Sequence, residues 1–214
     1  MALSKVNFNR LNVTPAASKA IKFNSNNNGI ETGDVGGSMV LISEQTASGV
    51  QTLSFTSGID STYKEYIFKC FDINPGTDDQ LFRIKFSIDG GSNYNATVTS
   101  TAFYALHHED DSAASLQYHT AMDEAQGTVG QHIARSIGNG SDESFCATVH
   151  LFDPSNTTFV KHFISRGNEY QSTNNESRDY LIAGYVNSTS AVNAVQFLIA
   201  GGVFDGTIKM YGVV

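Results

Sequence analysis

The sequence predicts an all-β protein: an antiparallel β-sandwich, jelly-roll-like, with an extended N-terminal arm. Three observations predict it. Short segments rich in β-branched and aromatic residues recur along the chain, each bounded by Gly, Asn, Asp, Pro or Ser. No helix-length apolar pattern separates them in the last third. Charged residues make up only 16% of the chain, against about a quarter in an average globular protein. Polarity is carried by Asn, Ser, Thr and Gly, which suit exposed strands and tight turns.

Residues 1–38 read as an N-terminal arm and residues 39–214 as the β-sandwich domain. The arm holds apolar pieces at Val6–Leu11 and Ala20–Phe23, an Asn-rich stretch at Asn24–Gly29, and a Gly turn at Gly33–Gly37. That is too little apolar surface to fold alone. The arm either orders against a neighbour or along the sandwich, or stays a flexible tail.

The sandwich begins with a short buried run, Met39–Ile42. Val50–Phe55 alternates. Glu65–Ile73 is apolar on both faces, as a central strand would be. Leu81–Ile88 puts Phe82, Ile84, Phe86 and Ile88 on one face, with Arg83, Lys85 and Ser87 on the other. Asp89-Gly90-Gly91 is a tight-turn signal, and the next strand lies within Asn95–Leu106. His107–Gly130 is the least strand-like stretch and reads as a long excursion from one edge, with a single helical turn near Met122–Gln126. Gln131–Ile137, Phe145–Phe152, Thr158–Ser165, Tyr180–Val186, Ala194–Ile199 and Thr207–Tyr211 supply further strands.

A chain of 214 residues with a net charge of −8 suits one sizeable β domain and carries no basic stripe. This argues against direct nucleic-acid binding, whose affinity rests on phosphate contacts, and against anionic membranes. No run reaches the length of a membrane span. Met1–Phe8 lacks the apolar core of a signal peptide. The expectation is synthesis in a cytosol and a route to its place other than secretion, of which assembly onto a particle would be one. Cys70 and Cys146 lie among apolar residues and read either as an inter-sheet disulfide or as two small buried hydrophobes. Two cysteines in a chain of this size favour the second.

No catalytic residue stands out. A Gly-x-Ser-x-Gly elbow and a phosphate-cradling loop are both absent. His107, His108 and Asp110, within His107–Asp111, are the metal-ligand types at hand. Adjacent residues on one loop cannot all point at one ion, so this reads as a solvated acidic loop and no metal is expected. Asp78-Asp79 and Asp89–Asn93 carry oxygen ligands but lack an EF-hand spacing. No cofactor is expected. The Asn-x-Ser/Thr triplets at Asn12, Asn95, Asn139, Asn156, Asn175 and Asn187 follow from composition. Tyr94, Tyr104, Tyr118 and Tyr170, near loops, are candidates for stacking on a sugar ligand. Trp, the usual sugar-stacking residue, is absent.

Gly37–Ser43 and Thr56–Tyr66 resemble virion structural proteins of tailed phages, notably those of marine bacteria and cyanobacteria. So do Asp89–Tyr94 and Gly206–Gly212. The resemblance runs over most of the chain and rests on pattern. It implies a β-sandwich on the virion exterior, commonly a homotrimer, with no catalytic residues to carry over. The first expectation is a non-enzymatic cement or decoration protein bound to the shell of the major capsid protein. The alternative is a receptor-binding head of a tail fibre or spike, docked on a tail adaptor and recognising host-surface glycans. The compact module and the arm favour cement.

Overall fold

The computed structural model describes residues 19–24, 26, 28–34, 38–171 and 173–214. The chain divides into two units, Met1–Ser38 and Met39–Val214. In the first, β1 (Lys19–Phe23) and β2 (Ile30–Asp34) form an antiparallel hairpin in the register Lys19↔Asp34 to Phe23↔Ile30. The turn closes through Asn24 N–H donating to Gly29 O at 2.9 Å. The expected apolar piece at Val6–Leu11 lies outside the described residues.

The second unit is an antiparallel sandwich. Its strands are β3 (Met39–Val50), β4 (Thr52–Phe55), β5 (Glu65–Pro75), β6 (Gln80–Ser87), β7 (Val98–His108), β8 (Ala114–Tyr118) and β9 (Ala125–Gly127). After these come β10 (Gln131–Ile137), β11 (Phe145–Phe152), β12 (Lys161–Gln171), β13 (Glu176–Val186), β14 (Ala194–Ile199) and β15 (Phe204–Val213). One sheet has four strands in the order β10-β6-β14-β4. The other has nine, β3-β15-β5-β11-β12-β13-β7-β8, with β9 pairing β7.

Setting aside the inserted strands β7–β9 and β12–β13 leaves eight. In chain order they form sheets 1-8-3-6 and 2-7-4-5, which is the wiring of a jelly roll. Both insertions add to the free side of β11, so the large sheet grows sideways well beyond the small one.

The core lies between the sheets. Phe55, Phe82 and Phe197 come from the small sheet and Phe68, Phe145 and Phe204 from the large one, and all six are buried. Phe82 and Phe197 stack at 5.9 Å, and Phe82 meets Phe204 edge-on at 5.3 Å. With no Trp in the chain, this phenylalanine cluster is the main aromatic filling of the sandwich. Each buried ring contributes roughly 1.5–3 kcal/mol by area.

Met39–Ile42 is not a buried run: it opens an edge strand whose Val40 and Leu41 are exposed. Asp89-Gly90-Gly91 does not close a hairpin, because β6 and β7 belong to different sheets. Gly90 and Gly91 take φ of 73° and 86° in a loop that crosses between them. The strand expected at Thr158–Ser165 begins later, at Lys161, and runs on to Gln171. The His107–Gly130 excursion folds back as β8 and β9, and its helical turn is a single turn at His119–Asp123. Cys70 and Cys146 are both free. Neighbouring positions on β5 and β11 turn them to opposite faces, Cys70 buried and Cys146 exposed.

Candidate functional site

Strand alternation gives the large sheet two faces. The inner one packs on the small sheet, and the outer one carries no second layer within the unit Met39–Val214. Register sets the outer face out in rows. One row runs Glu44, Lys209, Lys69, Thr148, Arg166, Leu181, Phe103 and Tyr118 across β3, β15, β5, β11, β12, β13, β7 and β8. A neighbouring row holds Cys146, Asn168, Asp179, Ala105 and Leu116.

The β7–β8 end of this face is apolar. Phe103 meets Tyr118 edge-on at 5.3 Å, and Leu116 is 75% exposed beside them. Phe103, Leu116 and Leu181 line a hollow of 340 Å³ with Arg166 and Asp179 at its rim. An edge strand usually carries charge, Pro or a bulge that blocks pairing with another chain. The sequence of β8, Ala-Ser-Leu-Gln-Tyr, has no charge and no Pro.

The middle of the face is polar. A trough of 570 Å³ is lined by Lys69, Phe71, Cys146, Thr148, Arg166, Asn168 and Asp179, among others. Short side chains on β11, Cys146 and Thr148, form its floor between long ones on β5 and β12. A β-bulge builds one end: Phe71 and Asp72 together face Cys146, and Asp72 sits at φ 53°. The bulge brings Asp72 N–H to 3.3 Å from Cys146 Sγ and leaves Phe71 exposed at the trough wall. Arg166 donates to both Asp179 oxygens, with Nη2 to Oδ2 at 2.8 Å, and this bonding raises the guanidinium pKa. Lys69 forms no ion pair within the described residues, and its ammonium lies 5.9 Å from the Tyr211 ring centre.

No known protein family, curated protein or solved structure matches this chain. What the structure itself offers is this face and the polar groups beneath it.

Those buried groups form a network that sequence reasoning missed. Glu169, Glu176 and Tyr180 are fully buried. Tyr180 Oη lies 2.7 Å from Glu169 Oε1 and 2.7 Å from the Arg135 carbonyl. Arg178 bridges the two glutamates, donating from Nε to Glu176 and approaching Glu169 at 3.9 Å. Burial pushes the Glu169 carboxyl up to about 8. The signal was present as polar residues at every inward position of β12 except Phe163 and Gly167: Lys161, Ser165, Glu169 and Gln171. Without the β12–β13 register, those positions could not be joined to Tyr180 and Glu176.

The tyrosine candidates are not brought together. Tyr104 turns inward, 4.9 Å from the His119 ring, while Tyr118 lies on the outer face and donates to Asp123 Oδ2 at 2.6 Å. Tyr170 points outward near the far end of β12. Tyr94 sits in the loop before β7, its hydroxyl buried without a hydrogen-bond partner among the described residues. The histidine loop is likewise split. His107 bonds Asp111 at 3.0 Å. His108 turns inward to within 2.7 Å of Glu176 Oε2, a close contact without hydrogen-bond alignment. Asp110 accepts from Ser112 N–H at 3.0 Å. Among the described residues, no group of three or more His, Cys, Asp or Glu side chains is placed to hold a metal.

Proposed function

We propose that this protein is a non-enzymatic structural protein of a phage virion: a cement or decoration protein that self-associates, as a homotrimer, on the outer shell of the major capsid protein. The observation that carries this reading is the exposed apolar cluster at the β7–β8 edge of the unit Met39–Val214, Phe103, Leu116, Tyr118 and Leu181. Exposed apolar surface bordering an unblocked strand edge favours association with another chain. Closed cyclic symmetry satisfies such a surface without open-ended growth. The small charged fraction fits a surface covered by identical neighbours. The resemblance to virion proteins supplies the particle; the surface supplies the means of assembly.

A second reading is a receptor-binding head carried on a tail adaptor. The polar trough favours it, because assembly leaves that feature unused. Copy number per purified particle separates the two. Cement is present in many copies that track the major capsid protein. A few copies confined to the tail vertex would overturn the cement reading and favour the head.

A further inference from the structure

The trough on the large sheet has a chemistry of its own. Thr148 pairs Lys69 on one side and Arg166 on the other. Two strand spacings therefore separate the bases of those long side chains, about 10 Å. That opening takes one six-membered ring lying over Thr148 and Cys146.

The groups around the opening are of three kinds. Lys69 is a cation with no carboxylate partner among the described residues, whereas the charge of Arg166 is met by Asp179. The lining residues therefore carry one net positive charge on a protein of net charge −8. The Thr148 hydroxyl makes no hydrogen bond within the described residues. Asn168 spends its amide N–H groups on Ser177 Oγ at 2.8 Å and Arg178 O at 2.9 Å, leaving its Oδ1 as an acceptor. The Asp179 oxygens, each already accepting from Arg166, keep lone pairs for further donors. Phe71 adds an exposed apolar wall.

We propose that this trough binds a carboxylate-bearing sugar, a uronic acid unit of a polysaccharide. Lys69 takes the carboxylate. Asn168 Oδ1 and Asp179 accept from ring hydroxyls, Thr148 and Arg166 donate to them, and Phe71 covers the apolar face of the ring. Charge and valence select this class. A phosphate favours a free guanidinium fork, and the fork here is engaged by Asp179. A purely anionic chain would meet Asp179 with no hydroxyl to offer it. One ammonium beside several acceptors fits a ligand with a single charge and many hydroxyls. The inference stands on the trough alone, whichever reading of the particle holds, so its failure leaves the copy-number test untouched.

The test is an amide NMR titration of the full chain at low salt with digalacturonic acid. Neutral digalactose and the peptide tri-aspartate are the comparison ligands. Digalacturonate is expected to shift the amides of Lys69, Thr148 and Arg166, and to bind at least about tenfold more tightly than either comparison. Lys69→Met keeps the stem and loses the charge. Since Lys69 makes no ion pair among the described residues, the variant should keep its folded spectrum and bind digalacturonate roughly tenfold more weakly. Thr148→Val should weaken both sugars. Equal binding of digalactose, equal or tighter binding of tri-aspartate, no shift up to about 10 mM, or an unchanged affinity in Lys69→Met would each overturn the proposal.

Discussion

Tyr180 holds its hydroxyl 2.7 Å from Glu169 Oε1 while the same oxygen lies 2.7 Å from the carbonyl of Arg135. A phenol has one proton, and a backbone carbonyl can only accept. If Tyr180 donates to Arg135, the hydrogen bond to Glu169 needs a proton from the carboxyl. The two contacts are satisfied together when Glu169 is protonated, and burial holds its pKa up at about 8.

The sign of the pH effect follows. Glu169 is raised from 4.5 to about 8, so the unfolded chain gives up this proton first. Its contribution to stability is fully present below about pH 4.5 and is lost as the pH rises to about 8. Glu169→Gln supplies a neutral N–H donor in its place. Urea unfolding across this range should show the parent losing stability relative to Glu169→Gln as the pH rises. Tyr180→Phe, which leaves Glu169 and the Arg135 carbonyl without this partner, should cost about 1–3 kcal/mol at neutral pH. Parallel slopes in the parent and Glu169→Gln would show that Glu169 titrates as an ordinary carboxyl.

His132 works in the opposite direction. Burial, then the charges of Arg83 and Arg135, lower its pKa from 6.5 to about 4. Arg83 Nε donates to His132 Nε2 at 2.8 Å, so that nitrogen is an acceptor and the neutral ring carries its proton on Nδ1. The stability from this neutral histidine is present above about pH 6.5 and lost as the pH falls to about 4. Thermal melts over that range should show the parent losing stability relative to His132→Gln as the pH falls. An identical slope in both would place the acid sensitivity elsewhere.

The sandwich was legible because its signal is local. Alternation at Leu81–Ile88 and Phe145–Phe152 depends only on neighbouring residues, and β6 and β11 sit where that alternation puts them. What was not legible depends on pairing. Nothing around Asp89-Gly90-Gly91 says whether the next strand joins the same sheet or the opposite one. The trough needs Lys69, Thr148 and Arg166 in one row, which only the registers of β5, β11 and β12 supply. The Glu169 network is hidden for the same reason: its members, from Arg135 to Tyr180, meet through two sheets. Loop proximity singles out the four tyrosines but is silent on which face of a strand each one takes.

The core prediction concerns Phe82. Its ring meets Phe145 at 6.1 Å, Phe197 at 5.9 Å and Phe204 at 5.3 Å, joining both sheets. Phe82→Ala removes all three contacts and leaves a cavity, at a cost of about 3–5 kcal/mol. Phe159 is 68% exposed, and Phe159→Ala should stay within about 0.5 kcal/mol. Urea midpoints of the two variants check the contrast. Similar losses would mean that the sheets do not meet at Phe82.

The last prediction tests assembly. Leu116 is the most exposed member of the apolar cluster, on the outermost strand of the large sheet. Leu116→Lys places a charge there and blunts the β8 edge in the way other proteins blunt theirs. The side chain is largely in solvent, so the fold should survive, with a thermal midpoint close to the parent's. Light scattering should find the parent as a trimer at micromolar concentration and Leu116→Lys as a folded monomer. A second variant separates self-association from attachment. Removing the chain up to Gly36 should leave the trimer intact, since the cluster belongs to the unit Met39–Val214, while abolishing binding to purified particles. If Leu116→Lys remains trimeric, the contact lies away from the β7–β8 edge. If the truncated protein still decorates particles, the N-terminal segment is not the means of attachment.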